Sequence, residues 1–192
     1  MDNVAIVFSV FLGIGLAAAV GFRVFLPLLV LSLAGYYDYI PLNEYWEWVG
    51  TLTTLIILCV ATLVEIIGYY VPWFDNLLDT IAIPLAAVAG TAVMMATLGD
   101  MSPVISWVLA IIAGGGTAAV VKGNTSALRL SSTATTAGVA NPVIATVETG
   151  TSTLISLLSV FIAPFAFLIV LFIFFGIYKF YKKLHKKDSS RI

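Results

Sequence analysis

The sequence holds one cysteine and one histidine among 192 residues, and charged residues make up only 10% of it. A single cysteine excludes an internal disulfide and any cysteine-built metal site. The histidine, His185, lies near the C-terminus, so the apolar body can build neither a histidine-based catalytic triad nor a histidine metal site. A hydrophobic content of 61% and a mean hydropathy of +1.09 exclude a soluble domain. We therefore expect an all-α, polytopic membrane helix bundle that is not an enzyme and holds no cofactor.

Basic charge is scarce until the end of the chain. Three basic and nine acidic side chains precede residue 179, whereas residues 179–192 carry six basic and one acidic side chain. By the positive-inside rule this basic tail lies in the cytoplasm, where it contacts anionic membrane lipids. Nucleic-acid binding would need more than this tail, so we expect no nucleic acid as a partner. No basic segment precedes the first apolar stretch, residues 4–20, which we interpret as a retained segment.

Five stretches are long enough, or nearly so, to cross a hydrocarbon core of about 30 Å, which needs about 20 residues. They are residues 4–20, 48–71, 80–98, 105–121 and 154–178. Two other stretches fit this pattern poorly, because residues 22–35 are short and contain an arginine and residues 122–153 hold twelve serines or threonines. Polar or irregular backbone at membrane depth must be buried in protein or line a wet cavity. We interpret both stretches as re-entrant or broken helices.

A shift of the chain by 100 residues indicates an internal repeat. Nine residues in two windows then coincide with identical residues, namely Gly15, Ala18, Ala19, Val20, Gly50, Thr51, Thr53, Leu58 and Val60. We predict a single membrane domain, residues 1–178, made of units at about 4–71 and 105–178 that are joined by helix 80–98. An odd number of joining helices makes the units antiparallel, as in secondary transporters whose broken helices meet near the membrane midplane. Five crossings and a cytoplasmic tail put the N-terminus outside.

Two arginines within this apolar body are the first candidate site residues. A cation at bilayer depth costs roughly 2.5–3.5 kcal/mol on insertion scales, so it usually faces a cavity, a counter-charge or an anionic ligand. A guanidinium among hydroxyl groups suits a phosphate or carboxylate. The predicted substrate-binding residues are Arg23, Arg129, Ser131, Ser132, Thr133, Thr135, Thr136 and Asn141. The alternative is that the hydroxyls bind neighbouring helix backbone and that the arginines form internal ion pairs.

Acidic residues form the second candidate group. Glu65 lies inside the second predicted span, where a carboxylate either holds a proton or pairs with an arginine. We therefore predict it as a proton-coupling group, with a structural ion pair to Arg23 or Arg129 as the alternative. Asp75 and Asp79 are four residues apart and make a weak candidate metal site, although they also suit a helix N-terminus. Glu148 is a further candidate.

Three segments carry a resemblance to a known family, GLAAAVGFRVFLPLL at residues 15–29, EIIGYYVPWFDNLLDTI at 65–81 and SALRLSSTATTAGVANPV at 126–143 followed by Glu148. Together they resemble the bacterial membrane family called domain of unknown function 4126, from about residue 10 to residue 165. The resemblance implies a protein of the bacterial inner membrane. It also implies that Tyr69 and Tyr70 stand where the family has an acid and a base, which weakens the metal hypothesis. The family pattern includes Arg23, Glu65, Pro72, Asp75, Asp79, Arg129, the Ser-Thr-Ala-Thr-Thr run and Asn141-Pro142.

These features together predict a small transporter for an anionic solute or a lipid phosphate, with Glu65 as its proton-coupling group. Because a chain of 192 residues makes a thin wall around a pathway, we expect a homodimer. The alternatives are a non-transporting membrane scaffold that maintains the envelope, with its arginines paired internally, and a divalent cation transporter. An intramembrane enzyme is the least supported.

Overall fold

The computed structural model describes residues 3–99 and 101–188, except for the side chains of residues 72–76, 180–181 and 184–188. Within these residues every regular element is helical. A 3-10 segment, Glu44–Gly50, precedes α3, and a π-helical segment, Ala110–Gly115, joins α5 to α6. The α-helices are α1 Asn3–Phe22, α2 Phe25–Tyr36, α3 Leu52–Gly68, α4 Pro72–Thr97, α5 Pro103–Leu109, α6 Gly116–Thr136, α7 Asn141–Phe161 and α8 Ala163–Asp188.

Four helical stretches are long and apolar enough to cross a membrane, and they confirm the multi-pass helical class. They are Asn3–Phe22, Leu77–Thr97, Pro103–Thr136 and Asn141–Phe161. A fifth exists if the 3-10 segment and α3, which meet at a bend of 62°, are counted as one span. The first four predicted spans fall on these stretches.

The fifth predicted span, residues 154–178, is wrong in its bounds. The chain leaves the helix at Ile162, where φ is −144° and ψ is 61°, and α8 begins at the next residue. Pro164, the second residue of α8, explains the break, because proline has no N–H to donate and its ring clashes with the carbonyl four residues earlier. The predicted span therefore combines the end of α7 with the start of α8.

The two stretches that fit the spanning pattern poorly, residues 22–35 and 122–153, have helical backbone with short breaks. Residues 122–136 continue α6, residues 141–153 begin α7, and the turn between them places Ala137 and Gly138 at positive φ. The stretch 22–35 contains a break at Arg23 and Val24 followed by the short helix α2.

Helix α1 lies at the centre of the bundle, because it is buried continuously from residue 15 to residue 21. It packs against α4, α6, α7 and α8. Small side chains allow this close packing, as is usual between helices in membranes. A second close crossing joins α4 to the π-helical segment, where a Cβ atom on Gly90 would lie 2.7 Å from the carbonyl oxygen of Gly114. The bundle core therefore depends on glycine and alanine rather than on large side chains.

Candidate functional site

Seven polar side chains from six parts of the chain meet inside the bundle. The cations are almost inaccessible, with exposed fractions of 0% for Arg23, 0% for Lys122 and 2% for Arg129. Among the described side chains, the set is balanced in formal charge, since three cations face three carboxylates. We call it the charged network, and its members are Arg23, Lys122, Arg129, Glu65, Asp79, Glu148 and Tyr69.

The charged network lies nearer to one end of the helices than to the other. Asp79 is seven residues from the first residue of α4, Glu148 is seven from the first residue of α7, and Arg129 is seven from the last residue of α6. At 1.5 Å per residue, each of these distances is about 10 Å. The opposite ends of α4 and α7 are about 27 Å and about 20 Å away. The network is therefore within the spanning bundle, on the side of the α6–α7 turn.

The carboxylate of Glu148 bridges the two predicted arginines. Arg129 binds it with two parallel donors, since Nε donates to Oε1 at 3.2 Å and Nη2 donates to Oε2. Nη2 of Arg23 lies 3.9 Å from the same Oε2 atom. Two-donor binding of this kind is the strongest arrangement that arginine makes with a carboxylate. Glu148 therefore occupies the position that an anionic ligand of these arginines would take.

Arg23 sits at the break between α1 and α2, and α7 supplies its hydrogen-bond acceptors. Its Nε donates to Oγ1 of Thr149 at 3.0 Å and its Nη2 donates to the carbonyl of Ala145 at 2.8 Å. Its third nitrogen, Nη1, is buried and has no hydrogen-bond partner among the described residues. A buried donor without an acceptor costs about 1–3 kcal/mol, so this atom calls for an additional acceptor.

The ring of Tyr69 lies among the three cations. The guanidinium carbons of Arg23 and Arg129 are 4.2 Å and 4.3 Å from the ring centroid, and the Lys122 ammonium is 5.0 Å away. The Tyr69 hydroxyl accepts a hydrogen bond from Lys122 at 3.0 Å and donates one to Asp79 at 3.4 Å. The negative face of an aromatic ring attracts cations, and the effect increases away from water. Tyr69 therefore helps to hold three mutually repelling charges together.

Glu65, on helix α3, caps the N-terminus of helix α2 with its side chain. One carboxylate oxygen accepts from the backbone N–H of Val24 at 2.7 Å and the other accepts from that of Phe25 at 3.0 Å. The first N–H groups of a helix have no partner within it, and a carboxylate there is also favoured by the helix dipole. The predicted proton-coupling residue thus supports the broken helix that follows Arg23.

Asp79 lies beside two cations, 4.0 Å from Nζ of Lys122 and 3.9 Å from Nε of Arg129. The side chain of its predicted partner, Asp75, falls outside the described residues. Across the described part of the chain, no three acidic, histidine or cysteine side chains are grouped to hold a metal ion. The divalent cation hypothesis therefore gains no ligand set from the structure.

The hydroxyl-rich run extends past the charged network along α6. Ser131, Thr135 and Thr136 are exposed and donate to carbonyls four residues earlier in their own helix. Asn141 donates from Nδ2 to the Thr133 hydroxyl at 3.1 Å, which connects α7 to α6. The Ser132 side chain is half-buried, and its hydroxyl oxygen is buried. The structure thus brings Arg23, Arg129, Glu65 and Asp79 together, whereas the hydroxyls of Ser131, Thr135 and Thr136 bind their own helix.

Two clefts reach the charged network from different directions. A cavity of about 410 Å³ between α2, α3 and α4 is lined at its inner end by Glu65 and Tyr69. A second cavity, of about 230 Å³, lies between α6 and α7 and reaches Glu148. The two clefts therefore reach different carboxylates of the charged network, Glu65 and Glu148.

Sequence reasoning overlooked Lys122 and the role of Tyr69. Lys122 precedes Arg129 by seven residues, which is two helical turns, so the two cations share one face of α6. This spacing was the signal that could have identified Lys122. It was overlooked because residues 122–153 were not expected to form a regular helix. Tyr69 was visible only as a departure from the family pattern.

The family model described as Domain of unknown function (DUF4126) matches residues 10–183. No curated protein and no solved structure matches the chain.

Proposed function

The chain belongs to the DUF4126 family, and we propose that this multi-pass membrane protein is a small transporter that exchanges an anionic substrate against the carboxylate of Glu148. Proton binding to Glu148 would free the arginines for the substrate. We place it in the bacterial inner membrane with the basic tail in the cytoplasm.

One observation carries this proposal, namely the carboxylate of Glu148 held between two buried arginines. Ionisable residues within a membrane domain are costly, and six in one network exceed what helix packing needs. Arg129 binds Glu148 with two donors, in the geometry that it would use for a phosphate or a substrate carboxylate. The unpartnered Nη1 atom of Arg23 provides a further donor at the same place.

Charge balance explains how protons could drive such an exchange. With Glu148 ionised, the network has equal numbers of positive and negative groups, so an added anion would be unfavourable at this depth. Protonation of Glu148 leaves one cation in excess and removes the competing carboxylate. The bound anion then restores neutrality, and its release allows Glu148 to ionise again. The clefts that reach Glu65 and Glu148 give the substrate two directions of approach.

A non-transporting scaffold is the second candidate. The formal balance of three cations and three carboxylates, and the use of Glu65 as a helix cap, both suit a network whose purpose is to hold broken helices together. In that case no anion competes with Glu148, and each substitution in the network acts on stability alone.

Binding of inorganic phosphate as a function of pH tests the proposal, with Glu148→Gln and Arg129→Gln compared with wild type in lipid nanodiscs. We expect Glu148→Gln to bind phosphate more tightly than wild type, because the amide removes the competing charge. If protons drive the exchange, this advantage over wild type should shrink as the pH falls, whereas the ionisation of phosphate itself affects both proteins alike. Arg129→Gln should bind at least about tenfold more weakly, because a charge-assisted pair contributes more than 1.4 kcal/mol.

The exposed residue Glu47 supplies the matched control, since Glu47→Gln removes the same charge outside the network. It should keep the wild-type pH profile. If wild type, Glu148→Gln and Glu47→Gln all fail to bind phosphate at any pH while remaining folded, the scaffold is the better account.

A further inference from the structure

An apolar groove runs along the side of the bundle to the charged network. Its inner part is the cavity of about 410 Å³ that reaches Glu65 and Tyr69, and its outer part is a cavity of about 250 Å³ lined by Trp46 and Trp48. The two cavities share Val24, Phe25 and Leu85, so they adjoin each other. We call the two together the α3–α4 groove.

The groove exists because α3 and α4 separate after the short turn that joins them. Both helices pack more closely on other elements than on each other, and the short helix α2 forms the floor between them. Along α3 the groove follows the chain from Thr54 to Glu65, eleven residues or about 17 Å of helix. This length is close to the thickness of one leaflet of the hydrocarbon core, about 15 Å.

The two ends of the groove differ in chemistry. The outer end is bordered by the stacked indole rings of Trp46 and Trp48, whose centroids are 5.7 Å apart, as expected for rings at a membrane interface. The inner end is bordered by Glu65 and Tyr69, and Tyr69 contacts all three cations of the network.

Among the described side chains, those that line the groove between these ends are apolar apart from Thr54. At the inner end, both oxygens of Glu65 accept backbone hydrogen bonds, which stabilise its negative charge where it stands. The outward-facing rim is also apolar, with exposed fractions of 61% for Ile57 and 56% for Val60. Walls of this kind suit an alkyl chain better than a hydrated ion.

We propose that the substrate is a single-chain amphipathic anion, which enters sideways from the bilayer, places its alkyl chain in the α3–α4 groove and its anionic headgroup at Arg23 and Arg129. This inference rests on the proposed function and names the substrate class for the same site. The apolar groove suits the alkyl chain, and its inner end is lined by Tyr69, whose ring contacts the three buried cations. The Nη1 atom of Arg23, which has no hydrogen-bond partner among the described residues, would donate to the headgroup.

Binding of hexadecyl phosphate and of inorganic phosphate to wild type and to Glu148→Gln in nanodiscs tests this substrate class. We expect hexadecyl phosphate to bind at least about tenfold more tightly, because burial of even two methylene groups is sufficient for such a gain. Ala61→Phe, which fills the groove, should reduce this advantage at least about fivefold and leave inorganic phosphate unchanged. Hexadecanoate, used in parallel, distinguishes a carboxylate headgroup from a phosphate.

Leu63→Phe is the matched control, because Leu63 lies on the same helix, is 55% exposed and does not line the groove. It should bind both probes as wild type does. Val64→Phe, at another groove position, replaces Ala61→Phe if that variant does not fold.

The outcomes separate this inference from the proposed function. If inorganic phosphate binds with the expected pH profile but the alkyl chain adds no affinity, the substrate is a soluble anion and only the groove inference fails. If hexadecanol binds as well as hexadecyl phosphate and Arg129→Gln weakens neither, the groove holds bilayer hydrocarbon and the inference is overturned. If no anion binds to wild type or Glu148→Gln, both proposals fail together.

Discussion

Buried charges determine the character of this protein at the scale of single residues. Removing one partner of a buried ion pair typically costs 3–5 kcal/mol, because the other charge is left without compensation. Each member of the charged network therefore depends on its neighbours, and the Tyr69 ring and hydroxyl connect Arg23 at the α1–α2 break with the two cations of α6. Changes here combine effects on stability and binding, which is why the tests above use charge-neutral amides and matched controls.

Sequence alone could indicate Arg23, Glu65, Asp79 and Arg129, because a charged residue in an apolar segment requires a counter-charge, a cavity or a ligand. It could not indicate which carboxylate meets which arginine. Glu148 was only a further candidate, yet it bridges both arginines, because α7 runs beside the break at Arg23. Such pairings depend on how helices distant in sequence pack, and no local pattern encodes them.

The cap provided by Glu65 gives a prediction at this scale. Glu65→Gln should lower the free energy of unfolding by about 1–3 kcal/mol, because the amide offers one acceptor oxygen where the carboxylate offered two. Unfolding in mixed detergent micelles measures the change. Glu44→Gln, at an exposed position, should stay within about 0.5 kcal/mol of wild type. Equal stability of Glu65→Gln and wild type would contradict the capping role.

At the scale of helices, proline and glycine explain what the sequence indicated and what it concealed. Pro164 divides the predicted fifth span. Its position within residues 154–178 was a signal in the sequence, but the prediction gave more weight to the apolar composition of that stretch. The hydroxyl-rich run is helical, and its serines and threonines donate to carbonyls of their own helix, so a polar composition did not mean an irregular backbone. Composition thus predicted membrane helices correctly but missed the break at Ile162.

Close packing of α4 on the π-helical segment gives the prediction at this scale. A methyl group on Gly114 would lie 2.5 Å from the carbonyl oxygen of Gly90 and 2.6 Å from Cβ of Met94. Gly114→Ala should therefore destabilise the protein by about 1–3 kcal/mol through overpacking. Gly116→Ala, two residues later, has no atom within 4 Å of the added methyl and should be neutral or stabilising by up to about 1 kcal/mol. Thermal unfolding of the two variants should shift in different directions, and equal shifts would contradict the close crossing.

At the scale of the whole molecule, the sequence predicted a helical membrane bundle, and the family match and the helices confirm it. The inverted repeat and the homodimer stay predictions. The repeat rested on nine identities in small residues, and small residues also recur wherever helices pack closely, as Gly15 does against Ser159. A dimer depends on a second copy, whose contacts a single chain does not encode locally.

The path of the last three long helices gives a prediction about sidedness. Helix α7 and the break at Ile162 separate the α6–α7 turn from α8, and Arg23 and Ser152 fix α7 antiparallel to α1 through Ala145 and Ala19. If α8 then crosses back, the turn at residues 137–140 lies on the same side as the basic tail. A re-entrant segment over residues 122–153 would instead hold this turn within the membrane.

Single cysteines introduced into a Cys59→Ser background distinguish these arrangements. Val139 is 82% exposed, so Val139→Cys should react with a membrane-impermeant maleimide from the cytoplasmic side, together with Lys183→Cys in the tail. Asp38→Cys, at the end of α2 and far from the charged network, should react only from the opposite side, because α2 runs away from the network. Labelling of Val139→Cys from the side of Asp38→Cys, or from neither side in a folded protein, would contradict this topology. It would also change the proposed mechanism, because the α6–α7 cleft would then open away from the cytoplasm and the proton on Glu148 would be exchanged with the outside.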